Sequence, residues 1–146
     1  MISFSVNGND SYALFGDYNA SQVVNGEKGL YDLKTFAYLP EFAAAQKNWA
    51  LEGQNMLYGD QQLQADTSFP AIIDTGSSTL GVPSQLFDAM KEQWKKDLKN
   101  STIDCKTDEN FCQVTDQCST ITPSLKPIGF VLSGKVFEVP PSLYLF

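Results

Sequence analysis

The stretch AIIDTGSSTLGVP, residues 71–83, sets an acid at the end of an apolar run and follows it with small hydroxyl residues and two glycines. Ala71, Ile72 and Ile73 read as a short, fully buried strand, since a brief apolar run bounded by turn formers has that signature. Asp74 then stands at the strand tip. Gly76 permits a tight turn and a close backbone approach. Gly81-Val82-Pro83 breaks the chain before a second strand can follow.

Beyond Pro83 the period changes. Leu86, Phe87, Met90, Trp94 and Leu98 fall on one face at helical spacing, which predicts a helix from Ser84 to Lys99 packed on a sheet. Pro83 and Ser84 suit its start, and Lys95, Lys96 and Lys99 suit the dipole at its end. Elsewhere the pattern is β. Phe4 and Val6, then Tyr12 and Leu14, predict two strands about the turn Asn7-Gly8-Asn9-Asp10. Leu30, Leu33, Phe36 and Tyr38 lie in a β-rich segment that Pro40 ends. Trp49 and Leu51, then Met56, Leu57 and Tyr58, flank Glu52-Gly53 as in a hairpin. Ile128, Phe130 and Leu132 lead through a turn at Gly134-Lys135 to Val136, Phe137 and Val139, another hairpin. The closing residues 142–146, SLYLF, read as the middle of a strand. The expected architecture is all-β, mainly antiparallel, with one or more short helices, in a single partial domain over residues 1–146.

The chain has 146 residues, 42% of them hydrophobic, which is enough for one real core. A net charge of −7 argues against nucleic acid and anionic membrane surfaces as partners. There is no histidine, so Ser-His and Cys-His nucleophile systems and His-ligated metal sites are excluded within the chain. The apolar runs are too short to span a bilayer. The start, from Met1 to Val6, alternates like a strand and lacks the features of a signal peptide. With the apolar end, it points to a piece of a longer protein. Cys105, Cys112 and Cys118 lie close together at spacings that fit no zinc ribbon, and an odd count leaves one thiol over. Sequons at Asn9, Asn19 and Asn100 fit a secreted or vacuolar protein, as disulfides would.

Three readings of Asp74 compete. It can cap a turn or the following helix, which accounts for one acid but not for the cluster from Asp74 to Thr79. It can belong to a phosphate-binding hairpin of the sugar-kinase and actin type, but that fold wants a second strand directly after the turn. It can be half of a paired-carboxylate site. A carboxylate that shares a proton with another needs rigid placement, which a buried strand supplies. Hydroxyls of Thr75 and Ser77 can donate hydrogen bonds that orient it and tune its pKa. Two carboxylates at close range cannot both ionise, and the pair can activate a water for attack on a peptide carbonyl.

Asp74-Thr75-Gly76-Ser77-Ser78 after its apolar strand resembles the active-site motif of the pepsin-like aspartic proteases, peptidase family A1. The surroundings extend the likeness. Cys118-Ser119-Thr120-Ile121 and the stretch IGFVLSGKVFEVPPSLY, residues 128–144, are similar to the segment downstream of the family's second active-site motif. Phe4-Ser5-Val6 and Leu14-Phe15-Gly16-Asp17 resemble the strands that open the C-terminal half, and Trp49-Ala50-Leu51 resembles the aromatic strand before the second motif. The resemblance implies most of the C-terminal lobe of the bilobal pepsin-like fold, incomplete. The chain has one Asp-Thr-Gly where the family has two. Tyr58-Gly59-Asp60 precedes the motif and so is not the family's flap. The family's apolar-apolar-Gly strand that supports the aspartate has no counterpart here.

What the resemblance implies is an aspartic endopeptidase in the full-length protein, taking an extended peptide between two lobes and using no cofactor and no metal. Asp74 would be one catalytic acid, with its counterpart in a missing N-terminal lobe. Thr75 would hydrogen-bond across to that lobe. Gly76, Ser77 and Ser78 would contact the substrate, and Ile72 would line the pocket wall, although core packing is the first expectation for Ile72 and Trp49. The cysteine matching Cys118 bonds a downstream partner in the family, which leaves Cys105 and Cys112 to pair. The implied location is secreted or lysosomal/vacuolar. With one acid, the isolated chain is expected to be inactive. Two alternatives stand beside this. A retropepsin-type homodimer supplies one motif per chain but is much shorter after it. A non-catalytic pepsin-like fragment or peptide-binding module would often have lost an aspartate.

Overall fold

A computed structural model describes residues 2–5, 9, 11–22, 48–63, 68–99, 103–105 and 111–145. The chain forms two compact units, Met1–Tyr38 and Leu39–Phe146. In the first, β1 (Ile2–Ser5) pairs antiparallel with β2 (Tyr12–Phe15), with Ser5 opposite Tyr12. Gly16, at φ 90°, turns the chain off β2. The Ser3 hydroxyl then donates to the Asp17 carbonyl at 2.7 Å, which holds the following segment against β1. The β-rich stretch read around Leu30, Leu33, Phe36 and Tyr38 lies outside the described residues.

The second unit is organised by β3 (Ala50–Tyr58). Two strands share one of its edges: β5 (Phe69–Ile72) pairs with Ala50–Gly53, and β4 (Gln61–Leu63) pairs with Met56–Tyr58. On its other edge lies β8 (Ile128–Leu132), followed by β9 (Lys135–Val139), and every pairing is antiparallel. The hairpin expected at Glu52-Gly53 is therefore corrected. β3 runs straight through it, and the chain reverses at Gly59-Asp60 instead. Gly53 serves close packing rather than a turn: a Cβ there would collide with the Phe69 ring. The register shifts between Gly53 and Asn55. The extra residue, Gln54, accepts the Gly134 N–H at 2.8 Å, and Ser133 N–H donates to the Glu52 carbonyl at 2.8 Å. The bulge is thereby tied to the β8–β9 turn. Gly53→Ala should cost about 1–3 kcal/mol through overpacking. The measurement is the denaturation midpoint, and an unchanged midpoint would mean that the Phe69 ring moves aside freely.

The predicted helix forms as α1 (Ser84–Asp97), entered from Pro83. Leu86 and Met90 on its apolar stripe are buried, as is Leu98 just beyond it. They close over Met56, Tyr58 and Leu63 of β3 and β4, with Ile103, Ile121, Leu125 and Ile128 completing the core. Two further short α-helices lie among the described residues, α2 (Cys118–Ile121) and α3 (Pro141–Tyr144). The second corrects the strand read at the end of the chain. Pro140 and Pro141 supply no N–H for a ladder, and Pro141 sits at the first turn of a helix, where that loss is harmless.

Tyr58, on β3, joins three elements. Its hydroxyl donates to the Asp97 carboxylate at 2.9 Å and accepts the Lys126 N–H at 3.3 Å. Tyr144 donates to the Lys126 carbonyl at 2.8 Å and stacks on Trp94. Burial pushes the Tyr58 phenol well above its usual range, and the neighbouring Asp97 adds to this. Burial likewise pushes the Tyr144 phenol up to about 12. Folding thus favours the protonated phenols. Their stabilisation is complete below about pH 10, the ordinary tyrosine value, and is lost as pH rises through about 12. Denaturant midpoints should fall across that window, and less steeply in Tyr58→Phe. An equally steep fall in that variant would remove Tyr58 from the explanation.

Candidate active site

β5 delivers the acid. Its pairing with β3 places Ile72 opposite Ala50, and one step further the Ile73 N–H donates to the Trp49 carbonyl at 2.8 Å. The backbone is thus fixed up to the residue before Asp74. Asp74 is exposed at the strand end. Its Oδ1 accepts the Gly76 N–H at 2.8 Å, a turn closed by the acid's own side chain. A Cβ on Gly76 would stand 3.2 Å from that same oxygen, so a larger residue would press on the carboxylate. The Ser77 hydroxyl donates to the Thr79 carbonyl at 2.9 Å and accepts the Thr79 N–H at 3.3 Å, which folds the next turn.

These bonds differ from the expected ones: among the described residues neither the Thr75 nor the Ser77 hydroxyl donates to Asp74, the backbone N–H of Gly76 does so instead, and the Ser77 hydroxyl bonds Thr79. Thr75 and Ser78 are exposed beside the acid. The Asp-x-Gly spacing was the available signal for the turn, because Asp side chains bond the N–H two residues on.

The expectation of a fully buried strand is corrected as well. Ile72 is 54% exposed, Ile73 51% and Trp49 61%, so none of the three is a core residue of this chain. Leu80, past the motif, is also exposed. The reason is topological. Among the described residues β5 has one strand neighbour, β3, and apolar side chains at a sheet margin stay open to solvent without a second layer. Asp74 therefore stands amid exposed apolar residues, where a carboxylate is accessible to a ligand and its turn is pre-formed.

A family model for eukaryotic aspartyl proteases matches residues 3–146. The chain belongs to that family. No curated protein and no solved structure matches it. Its region is that of a pepsin-like aspartic protease, built mostly of antiparallel sheet with a few short helices, and its family function is that of a protease acting on peptides. Cys105 and Cys112, implied by the resemblance to pair, are joined by a disulfide that ties β6 (Ile103–Asp104) to β7 (Gln113–Val114). Cys118 is free and half-buried. No described helix is long and apolar enough to cross a membrane.

Proposed function

We propose that this chain is most of the C-terminal lobe of an aspartic endopeptidase and that Asp74 is one of its two catalytic acids. The observation that carries the reading is the Asp74 carboxylate, exposed at the tip of β5 and held by the Gly76 N–H. A second aspartate, on an N-terminal lobe, shares a proton with it. One carboxylate of the pair stays protonated because two charges at that range repel, the arrangement for which pepsin is the standing example. The ionised member takes a proton from water as that water attacks the peptide carbonyl, and the protonated member donates to the carbonyl oxygen.

The exposed apolar group of Trp49, Ile72, Ile73 and Leu80 fits a surface covered by a second lobe and by peptide substrate. On this reading Ile72 lines the pocket wall, Gly76, Ser77 and Ser78 contact the substrate backbone, and the Thr75 hydroxyl reaches the opposite lobe. Cys118 bonds a cysteine in a continuation of the chain. The protein works in a secreted or lysosomal/vacuolar compartment, in keeping with the Cys105–Cys112 disulfide. Alone, the 146-residue chain lacks the partner carboxylate and is inactive.

The test is proteolysis of an unfolded polypeptide by the full-length protein, from acidic to neutral pH, read as new chain termini by mass spectrometry. Cleavage by the full-length protein and none by the 146-residue chain is the expected result. No cleavage by the full-length protein at any pH overturns the enzymatic reading and favours a peptide-binding module.

A further inference from the structure

The sequon Asn19-Ala20-Ser21 lies in the first unit. Asn19 and Ser21 are exposed. Asn19 Oδ1 accepts both the Ser21 N–H at 3.0 Å and the Ser21 hydroxyl at 2.7 Å. Both bonds engage the carbonyl oxygen, so the carboxamide nitrogen Nδ2 is left without a partner among the described residues. The segment leading to it is anchored, by Ser3 on the Asp17 carbonyl at 2.7 Å and by the Tyr18 N–H on Asp17 Oδ1 at 2.8 Å.

We propose that Asn19 is the acceptor of an asparagine-linked glycan. A sequon alone is a common chance pattern. Here the hydroxyl that the sequon demands already sits on the amide oxygen, and Asn19 is exposed. The donor is an oligosaccharide joined through pyrophosphate to a membrane lipid. Nδ2 attacks the anomeric carbon, so an N–C bond forms as the bond from that carbon to the pyrophosphate oxygen breaks. The electron pair leaves with the lipid pyrophosphate, the Nδ2 proton passes to a base of the transferring enzyme, and nothing is oxidised or reduced. Hydrogen bonds on Oδ1 draw density from the amide and ease loss of that proton. In the cell, the modification rests on the secretory reading made above.

The full-length protein is expressed in a eukaryotic host behind an added signal peptide, with a reporter sequon on an added tail to register entry into the lumen. Glycans are removed by an amidase in heavy-oxygen water, which marks each former acceptor as a labelled aspartate in peptide mapping. The expected result is labelled Asn19, loss of one glycan step in Asn19→Gln and in Ser21→Ala, and retention of it in Ser21→Thr. An unlabelled Asn19 beside a labelled reporter overturns the proposal, as does an unchanged glycan count in Ser21→Ala. If Asn19 is labelled in that form while the protein behind its own start stays in the cytosol, the acceptor stands and the secretory reading falls.

Discussion

Asp74→Asn in the full-length protein should lower kcat for peptide hydrolysis by about 10²–10⁴-fold or more, the range that a positioned acid–base group contributes. The substitution is nearly isosteric. The side-chain oxygen that accepts the Gly76 N–H at 2.8 Å is retained, so the turn should persist. What is lost is the charge and the proton exchange on which the paired mechanism depends. KM should change little, since substrate contacts come from the cleft walls and the backbone, and the interaction removed acts in the transition state. Steady-state kinetics on an unfolded substrate, with a denaturation midpoint measured alongside, separates chemistry from folding. Full kcat in a folded variant would remove Asp74 from the catalytic centre, and a raised KM with normal kcat would make it a binding residue.

Leu86→Ala should destabilise the protein by about 2–5 kcal/mol. Leu86 is 0% exposed and packs in the cluster that joins α1 to β3 and β4. Truncation removes buried methyl groups and leaves a cavity among neighbours held by a sheet on one side and a helix on the other, which limits collapse. Native domains are stable by about 5–15 kcal/mol, so the loss would be a large share of the total. Chemical denaturation reads it. Leu143→Ala is the control: that leucine is 71% exposed and should change stability by no more than about 0.5 kcal/mol. Equal losses in the two variants would show that the core is not organised around α1.

The reach of sequence reasoning here depended on the range of each signal. α1 was legible because its apolar stripe is local, four residues per step, and the entry at Pro83 is written beside it. The β8–β9 hairpin was legible for a similar reason, with the turn displaced by one residue. Ser133 and Gly134, at φ 46° and 78°, make the two-residue loop between Leu132 and Lys135. The motif at Asp74 was legible as a strand tip and turn, because an Asp followed two residues later by Gly encodes its own hydrogen bond.

Glu52-Gly53 misled because a glycine marks both turns and close approaches. Which of the two applies is set by Phe69, sixteen positions away in the chain and stacked over it in space.

The sequence alone determined the antiparallel class, the helix after the motif, the placement of the single Asp-Thr-Gly at a strand end and the family likeness, since all of these lie in local period, turn chemistry and residue order. Only the tertiary structure decided which apolar residues are inside. Ile72, Ile73 and Trp49 have core composition, yet β5 sits at the margin of its sheet and leaves them in solvent. It also decided that Tyr58 holds Asp97 and Lys126, partners 39 and 68 positions distant. Burial and long-range polar pairing are properties of which elements end up adjacent. That adjacency is set by the summed packing of the whole chain, and no short window of sequence contains it.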